Sequence, residues 1–452
     1  MSGRLVIGGS GSHSGKTTVC MALAAAFAAE GLAVAPFKAG PDFIDPAYAA
    51  WAAGRPARNL DTWLLGEDGC RELFARGATG TDVALIEGVM GLYDGRGGEP
   101  GAPGSTAHLA RILDTPVLCV LDIAGVGATA AAVALGLSQL APGLVAGFVL
   151  NRAGSAAHAD LVRTAVESAT GLPVLGSLLR RDGLGIAERP LGLLTVRERR
   201  PDTALREQLV AAARAELDLG RILAVARAAR PLPSREPVLF AGEARPRRRR
   251  FALAEDAAFQ FYYRDALDLL AFQGIEWVPF SPLAEGLPDG VHGAYLGGGF
   301  PERHLEALSG NTALWRELRR RRQDIEIYAE CGGLMVLCRD AGLEGGPRYP
   351  MAGLLPASVT IGARRTALGY REGTAARRSL FLRPGDRVRG HEFHYSRAEG
   401  LPETTAAYEL TDSRGRRSAD GYAEPGLLAS YLHLHLAAHP ELAKRWAKGC
   451  RG

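Results

Sequence analysis

Several features that would place this chain in a special class of protein are absent from its sequence. The six cysteines are scattered, at positions 20, 70, 119, 331, 338 and 450, and none of them form a CxxC pair. No histidine cluster has the spacing of zinc ligands. A disulfide framework is therefore not expected, and a reducing cytoplasm is the predicted compartment.

Long apolar runs and a strong net charge are absent as well. The most apolar long stretch, residues 125–150, is mostly alanine and other small residues, whereas a membrane span needs about 20 more uniformly apolar residues. The N-terminus has one early arginine and then a glycine run, which is unlike a signal peptide. The formal net charge is only +4 over 452 residues. These features predict a soluble protein with no membrane partner and no nucleic-acid partner.

The first 190 residues alternate short apolar runs with alanine-rich stretches of helical length. Unbroken apolar runs of this kind are typical of strands in a parallel sheet that is buried on both faces. The chain is therefore predicted to be α/β, and its length indicates two domains. The predicted strands of the first domain lie at 5–7, 34–37, 83–86, 117–121 and 145–150.

A change of composition marks the predicted boundary between the domains. Residues 199–230 are helical and charged in pattern, and a proline-rich segment and a basic run follow within 231–250. Prolines and a block of like charge favour a solvated linker here over a nucleic-acid or sorting patch. The predicted domains are residues 1–230 and 251–445, with strands of the second at 275–279, 294–296 and 325–329.

A glycine-rich loop between the first strand and an alanine-rich helix has the context required of a phosphate-binding loop. Its backbone N–H groups and the helix N-terminus favour bound phosphates, and Lys16 is expected to contact the β- and γ-phosphates of ATP. Thr17 is expected to ligate Mg²⁺. A glycine turn with a surface lysine is the alternative. The loop residues predicted to bind ATP, besides Lys16 and Thr17, are Gly11, Ser12, Gly15 and Thr18.

Three carboxylates complete the predicted nucleotide site. Asp42 and Asp45 follow the second strand, and Glu87 ends the third. Carboxylates at the carboxyl ends of strands in an open sheet face the ligand crevice. Asp42 and Glu87 are therefore predicted to help hold Mg²⁺, and Asp42 and Asp45 to orient a substrate carboxylate. For any single one of them, a helix cap or a loop charge is the alternative.

Cys331 has the sequence context of a catalytic nucleophile. It follows the strand at 325–329 and precedes two glycines, which predicts a strand, a tight turn and a helix whose N-terminus lowers the pKa of the thiol. Gly298 and Gly299, in an earlier glycine turn, are predicted to donate N–H groups to an oxyanion. A buried core cysteine is the alternative reading of Cys331.

A cysteine nucleophile needs a base, and four histidines near the C-terminus are candidates. His433 and His435 lie in the segment 430–435. His391 and His394 lie in the segment 390–396, where a substrate contact or a structural role in a strand is the alternative to catalysis.

Taken together, these motifs resemble the cobyrinic acid and hydrogenobyrinic acid a,c-diamide synthases of corrin biosynthesis. The resemblance rests on motifs that occur in family order over nearly the whole chain. They lie at 8–18, 37–46, 59–64, 87–95, 104–107, 150–155, 257–263, 297–302, 330–334, 390–396 and 429–435.

The resemblance implies both a fold and an activity. The fold would be two doubly wound domains, a dethiobiotin-synthetase-like P-loop domain followed by a class I glutamine amidotransferase-like domain. The activity would be ATP-dependent amidation of the a and c acetate groups of a cobyrinate-type tetrapyrrole, through acyl phosphates and with ammonia taken from glutamine. Such enzymes are commonly homodimers.

The resemblance also assigns roles to residues. Cys331 would attack the glutamine amide with His433 as its base, since His433 matches the Tyr-Leu-His position of related cobyric acid synthases, and His435 would be the fallback. Asn151 would contact adenine. The glutamate of the usual glutaminase triad has no counterpart here, because His435 occupies its position two residues after His433.

Two alternatives remain open from the sequence. Within the same enzyme class, the substrate would be another tetrapyrrole, such as nickel-sirohydrochlorin, or cobyric acid side chains. In a different class, the chain would be a P-loop nucleotide switch, but such a protein needs no glutaminase constellation.

Overall fold

The apolar runs and alanine-rich stretches of the first half fold into alternating strands and helices. The computed structural model describes residues 3–181, 183–184, 188–189, 192–199 and 201–449. The chain divides into two units, residues 1–236 and 237–452. The strands of the first unit are β1 (Gly3–Gly9), β2 (Val34–Ala39), β3 (Arg58–Leu60), β4 (Val83–Glu87), β5 (Val117–Asp122), β6 (Val145–Ala153), β7 (Val174–Leu179), β8 (Glu188–Arg189) and β9 (Gly192–Leu193). Its helices are α1 (Lys16–Ala29), α2 (Ile44–Ala53), α3 (Gly66–Gly77), α4 (Thr106–Ile112), α5 (Ala130–Gln139), α6 (Ala156–Thr170), α7 (Val196–Arg199), α8 (Thr203–Glu216) and α9 (Leu219–Arg227).

Seven of these strands form one parallel sheet in the order β3-β2-β4-β1-β5-β6-β7. Every residue of β1 is buried, so both faces of the sheet are covered at its centre. Helix α1 is buried from Val19 to Phe27 and packs against α2 and α8. Its many alanines allow this close approach, since a small side chain keeps neighbouring backbones near one another. The predicted α/β parallel sheet is confirmed.

The strand order determines where a ligand can bind. The chain runs from β1 outward to β2 and β3, returns through β4, and then crosses to β5 on the other side of β1. In open α/β sheets, ligands bind at the carboxyl ends of the strands beside such a reversal. The carboxyl ends of β1, β2 and β4 meet there, with Lys38 opposite Glu87 and Ile7 opposite Glu87 in the strand pairing.

The second unit contains more strands than the first. They are β10 (Arg249–Ala254), β11 (Ile275–Phe280), β12 (Gly293–Leu296), β13 (Glu326–Glu330), β14 (Asp340–Leu343), β15 (Tyr349–Pro350), β16 (Ser358–Ile361), β17 (Ala367–Ala375), β18 (Arg387–His394), β19 (Ser396–Glu399), β20 (Tyr408–Asp412), β21 (Arg417–Asp420), β22 (Tyr422–Glu424), β23 (Leu427–Ser430) and β24 (His433–Leu434). The helices are α10 (Arg264–Phe272), α11 (Leu305–Gly310), α12 (Thr312–Arg320), α13 (Gly332–Leu337) and α14 (Pro440–Lys448). Short 3₁₀ helices span Pro301–Arg303, Glu403–Thr405 and Leu436–Ala438.

A parallel core with an antiparallel edge organises this unit. Its largest sheet has the order β11-β10-β12-β13-β23-β22, and β22 alone runs antiparallel to its neighbour. Trp446 on α14 is fully buried and contacts the rings of five other aromatic residues. Those rings belong to Phe251, Trp277, Tyr295, Tyr328 and Phe381. This cluster fixes the ends of β12 and β13, from which the second site is built.

Two further sheets were not predicted from the sequence. One has the order β15-β14-β16-β19, and the other is antiparallel with the order β21-β20-β17-β18-β24. Their strands have many polar and half-exposed residues, such as those of β17, and no unbroken apolar run marks them. Their stability depends on cross-strand pairing, which local composition does not reveal.

The observed elements also correct the predicted boundaries at two places. Arg249 and Arg250, assigned to the linker, are the first residues of β10. Helix α14 continues to Lys448, beyond the predicted end at residue 445. Across the described part of the chain, no helix combines the length and the apolar character needed to cross a membrane.

Candidate active sites

The glycine-rich loop lies between β1 and α1, as the sequence predicted. Gly15 has a φ of 92°, a left-handed conformation that favours glycine, and it precedes the first residue of α1. Lys16 is 7% exposed, and its Nζ donates to the carbonyl oxygen of Gly11 at 2.8 Å. Ser12 is exposed, and Thr17 and Thr18 lie half-buried in the first turn of the helix. The predicted ATP-binding residues of the loop therefore lie together at the N-terminus of α1.

Asn151, in the carboxyl-terminal part of β6, contacts this loop. Its Nδ2 donates to the carbonyl oxygen of Ser14 at 3.0 Å, and the side chain is buried. A Cβ added to Gly15 would lie 1.8 Å from that Nδ2, so the loop can pass Asn151 only with glycine at this position. The side chain is thus next to the nucleotide loop, and its contact with adenine stays a prediction.

A buried network of charge joins the loop to the ends of β2 and β4. The hydroxyl of Thr17 donates to Oε1 of Glu87 at 2.6 Å. Lys38 Nζ donates to the same oxygen at 2.9 Å and to Oδ2 of Asp45 at 2.6 Å. Lys38 and Glu87 are 2% and 1% exposed. Burial opposes the charged form of Lys38, but Asp45 and Glu87 outweigh it and raise the pKa of the lysine above its ordinary value.

Lys38 is the residue of this site that the sequence analysis missed. It lies within a motif used for the family resemblance, yet it received no role of its own. A lysine next to the end of a buried strand indicates a nearby carboxylate, because lysine is almost never fully buried unless it is paired. Asp45 binds this lysine through its carboxylate, and the orientation of a substrate carboxylate by Asp45 stays a prediction.

Asp42 has a more structural position than predicted. Its Oδ1 accepts the backbone N–H groups of Ile44 and Asp45 at 2.7 and 3.2 Å, in the first turn of α2. Its Oδ2 lies 3.9 Å from Nζ of Lys38. Burial, with the nearby charge of Asp45, raises the pKa of Asp42 to about 7. The carboxylate therefore caps a helix at the edge of the network, and metal binding by it stays a prediction.

The donor set fits Mg²⁺ held jointly by protein and nucleotide. Among the described residues, Oε2 of Glu87 is buried and has no hydrogen-bond partner, while Oε1 accepts the hydroxyl of Thr17. Burial raises the pKa of Glu87 to about 7, although the charge of Lys38 acts in the opposite direction. In the described part of the chain, no group of three or more His, Cys, Asp and Glu side chains could hold a metal alone. Mg²⁺ is commonly bound through one or two carboxylates and substrate phosphates, which suits this arrangement.

Cys331 is at a strained turn between β13 and α13. Its backbone φ is 48° and ψ is −100°, an unusual conformation for a non-glycine residue. Its backbone N–H donates to the carbonyl oxygen of Ser430 at 2.8 Å, so the turn is held against the end of β23. The side chain is 7% exposed. The predicted strand, turn and helix around the cysteine are confirmed.

The thiol itself does not have the predicted lowered pKa. Burial raises the pKa of the Cys331 thiol above its ordinary value, and the charge of Glu302 adds to this effect. A hydrogen bond from the N–H of Gly332 acts in the opposite direction but does not prevail. Helix α13 has only six residues, so its dipole contributes little against burial. The cysteine therefore needs a base to become a thiolate.

The second glycine turn lies between the cysteine turn and His433. A Cβ added to Gly298 would lie 2.5 Å from Cε1 of His433, so the imidazole packs directly on this backbone. The backbone nitrogen of Gly299 is 3.4 Å from where a Cβ on Gly332 would lie. The turn predicted to form the oxyanion site thus approaches both the residue after the nucleophile and the predicted base.

His433 begins β24 and is 2% exposed. Its Nδ1 lies 3.6 Å from Oε2 of Glu330, the residue immediately before Cys331. No carboxylate to orient this histidine was predicted from the sequence, because Glu330 lies far before His433 along the chain and not two residues after it. His435, at the position two residues after His433, is fully buried and stacks on the ring of Tyr263.

The remaining histidines have other environments. His391 lies directly opposite His433 in the β18–β24 pairing, and burial lowers its pKa to about 3. Burial lowers the pKa of His435 to about 3 as well. The ring of His394 stacks on Tyr431, and its Nδ1 is 2.8 Å from the carbonyl oxygen of Ser396. His433 is therefore the histidine that the glycine turn and a carboxylate both approach.

Each of the two sites lies within a segment of the chain that matches a known family. The family model of the CobQ/CobB/MinD/ParA nucleotide binding domain matches residues 5–189, and that of the CobB/CobQ-like glutamine amidotransferase domain matches residues 250–441. A cobyrinate a,c-diamide synthase of Dehalococcoides mccartyi is 42% identical over 99% of this chain and 98% of that protein. The chain belongs to the cobyrinate a,c-diamide synthase family.

Other relatives in this family act on a second named substrate. A hydrogenobyrinate a,c-diamide synthase of Streptomyces coelicolor is 40% identical over 99% of this chain and 97% of that protein. A hydrogenobyrinate a,c-diamide synthase of Thermobifida fusca is 42% identical over 98% of this chain and 96% of that protein. Family membership makes this chain a glutamine-dependent amide synthase with a nucleotide-binding domain, and it leaves the nucleotide-switch alternative without support.

Proposed function

We propose that this enzyme amidates the a and c acetate carboxylates of cobyrinic or hydrogenobyrinic acid, with ATP and glutamine as co-substrates. The observation that carries the proposal is the match over the full chain to synthases of that name, with both reactive sites built from this chain's residues. The reaction would belong to cobalamin biosynthesis. The five described cysteines are free and buried, which supports a reducing cytoplasm as its location.

The glutaminase half-reaction begins at Cys331. His433 takes the thiol proton, and the thiolate attacks the side-chain carbonyl of glutamine to form a tetrahedral oxyanion. Backbone N–H groups of Gly298 and Gly299 stabilise that oxyanion. His433 then returns the proton to the leaving ammonia, and water hydrolyses the remaining thioester to glutamate.

The activating half-reaction takes place at the glycine-rich loop. The backbone of the loop, including Gly11 and Gly15, surrounds the phosphates, and Lys16 contacts the transferred group. Lys38 lies within hydrogen-bond reach of Glu87 and is suited to neutralise charge on the transferred phosphoryl group or on the substrate carboxylate. Transfer to the carboxylate gives ADP and an acyl phosphate, and ammonia displaces inorganic phosphate to leave the amide.

The test of this function is a direct assay of product mass. The full chain is incubated with MgATP, glutamine and either cobyrinic or hydrogenobyrinic acid. Conversion of two carboxylates to amides, a mass decrease of about two units for the pair, supports the proposal and identifies the preferred macrocycle. If glutamine is hydrolysed but neither acid is converted, the proposed substrate is wrong.

We further propose that Glu87 and Thr17 hold Mg²⁺ together with phosphate oxygens of ATP. The metal would neutralise charge on the phosphates during transfer. Glu87→Gln is expected to raise the Mg²⁺ concentration for half-maximal synthesis by about tenfold or more, because one charged ligand is lost. The measurement is amide formation with ammonia as the nitrogen donor, across a Mg²⁺ titration.

A matched control for Glu87→Gln is available on the same strand segment. Asp82→Asn changes the charge of the residue that precedes β4, whose carboxylate accepts the backbone N–H of Ala33 at the opposite end of the strand. It is expected to leave the Mg²⁺ requirement unchanged. An unaltered Mg²⁺ requirement in Glu87→Gln would remove Glu87 from the metal site.

We also propose that the enzyme is a homodimer that uses α5. Residues 123–151 contain no charged side chain, and in α5 only Ala130 and Ala134 are buried. Val133, Leu135, Leu140 and Leu161 are exposed. An exposed helix that is mostly apolar is normally covered, and an uncharged face can meet its own copy about a two-fold axis without repulsion.

The dimer proposal predicts a change of mass in solution. Val133→Asp is expected to shift the protein from dimer to monomer in sedimentation equilibrium, because two aspartates would be buried at a self-complementary contact. Glu207→Asp, a surface change on α8, serves as a control. A Val133→Asp protein that sediments like the parent protein would exclude α5 as the interface.

A further inference from the structure

Glu330 connects the nucleophile and the base of the glutaminase site. It ends β13 immediately before Cys331, and it is 2% exposed. Its Oε1 accepts the backbone N–H of Leu434 at 3.0 Å, and Leu434 immediately follows His433. One buried carboxylate thus links the residue before the nucleophile to the residue after the base.

The rest of the carboxylate's environment directs it toward the imidazole. The hydroxyl of Tyr295 donates to Oε2 at 2.8 Å, and the hydroxyl of Tyr328 donates to Oε1. Both tyrosines are held by stacking on each other and by Trp446. Three neutral donors thus fix the orientation of the Glu330 carboxylate. In this orientation its Oε2 lies 3.6 Å from Nδ1 of His433. That distance is longer than a hydrogen bond, but such contacts commonly tighten when substrate binds.

We propose that Glu330 is the positioning residue for His433. Its carboxylate fixes the imidazole through Leu434 and stabilises the positive charge that forms when His433 takes the proton of the Cys331 thiol. Glu330 thereby replaces, from the strand before the nucleophile, the glutamate that the usual glutaminase triad places two residues after the histidine. This inference rests on the proposed glutaminase function of Cys331 and His433.

The other titratable groups around His433 do not duplicate this role. His391, opposite it on β18, is kept neutral by burial. Glu392, the next residue, is bound by Arg371 Nε at 2.6 Å. His435, two residues further along the chain, is buried and neutral against Tyr263.

Glu330→Gln removes the negative charge of this side chain and keeps its size. The amide oxygen can accept from Tyr328 and Leu434, and the amide nitrogen can donate to the hydroxyl of Tyr295, which is able to reverse its role. We expect the glutaminase kcat to fall by at least about tenfold, with KM for glutamine within about twofold of the parent. The acid limb of the kcat/KM profile should move to lower pH, because the protonated imidazole loses its stabilising carboxylate.

Tyr295→Phe should shift the same profile in the opposite direction. It removes the neutral donor from Oε2 and leaves that oxygen to His433, so protonated imidazole is stabilised more strongly. The acid limb is expected to move to higher pH. A residue with only a packing role would produce neither shift. Because this variant keeps the aromatic ring, it also decides the question if Glu330→Gln does not fold.

The experiment compares glutamine hydrolysis by the full chain in four proteins: the parent, Glu330→Gln, Tyr295→Phe and Glu326→Gln. Glu326 is a second buried glutamate on β13, paired with Arg249 at 2.8 Å, and its variant should keep the parent profile. Opposite shifts in the first two variants support the inference. A parent-like profile in either of them, or an equal loss in Glu326→Gln, overturns it. If the parent protein does not hydrolyse glutamine at all, the proposed function has failed instead.

Discussion

Cys331→Ala is expected to abolish amide synthesis from glutamine while leaving synthesis from ammonia intact. The substitution removes the sulfur that forms the thioester, so the glutamine-dependent rate should fall by more than about 1,000-fold. Ammonia added directly bypasses that step, since the acyl phosphate is formed at the glycine-rich loop of the other unit. The measurement is amide product formed with saturating glutamine and, separately, with an ammonium salt.

Cys338→Ala is the matched control for this prediction. Cys338 is also buried, lies at the end of the same helix, and its Sγ is 3.4 Å from the carbonyl oxygen of Leu334. Cys338→Ala should therefore keep amide synthesis both with glutamine and with ammonia. Glutamine-dependent synthesis that survives in Cys331→Ala would show that the ammonia is produced elsewhere, and loss of both activities would show that the cysteine affects more than glutamine hydrolysis.

Lys16→Ala is expected to have the complementary effect. It should lower synthesis with either nitrogen donor by about 100-fold or more, because a charged donor to the transferred phosphoryl group is removed. Glutamine hydrolysis should continue. Burial and the neighbouring Lys38 lower the pKa of Lys16, so an anionic phosphate bound next to it would stabilise its charged form. The rates of amide formation and of glutamate release, measured in the same samples, check the prediction.

The control for Lys16→Ala is Lys444→Ala. Lys444 is an exposed lysine whose Nζ is 2.7 Å from Oε1 of Glu441, an ion pair of a kind that contributes little to stability. It should not alter either rate. Amide synthesis at the parent rate in Lys16→Ala would contradict the assignment of the loop as the site of phosphoryl transfer. A loss of glutaminase activity alone would contradict the assignment of phosphoryl transfer and glutamine hydrolysis to different units.

The sequence by itself determined the parts of the protein that are built from consecutive residues. The glycine-rich loop, the individual strands of the first sheet and the turn at Cys331 each follow from residues next to one another along the chain. Glycines, an alanine-rich helix and short apolar strands specify such local structure directly. The family resemblance could be recognised from the sequence for the same reason, since its motifs are short segments in a fixed order.

Only the tertiary structure decided the contacts between residues that are distant along the chain. Lys38 became part of the nucleotide site because β2 pairs with β4 and places it beside Glu87. Glu330 became a neighbour of His433, about a hundred residues later, because the strands that carry them converge. The pKa of the Cys331 thiol was predicted in the wrong direction, because the extent of burial depends on the packing of the whole unit and not on the six-residue helix that follows the cysteine.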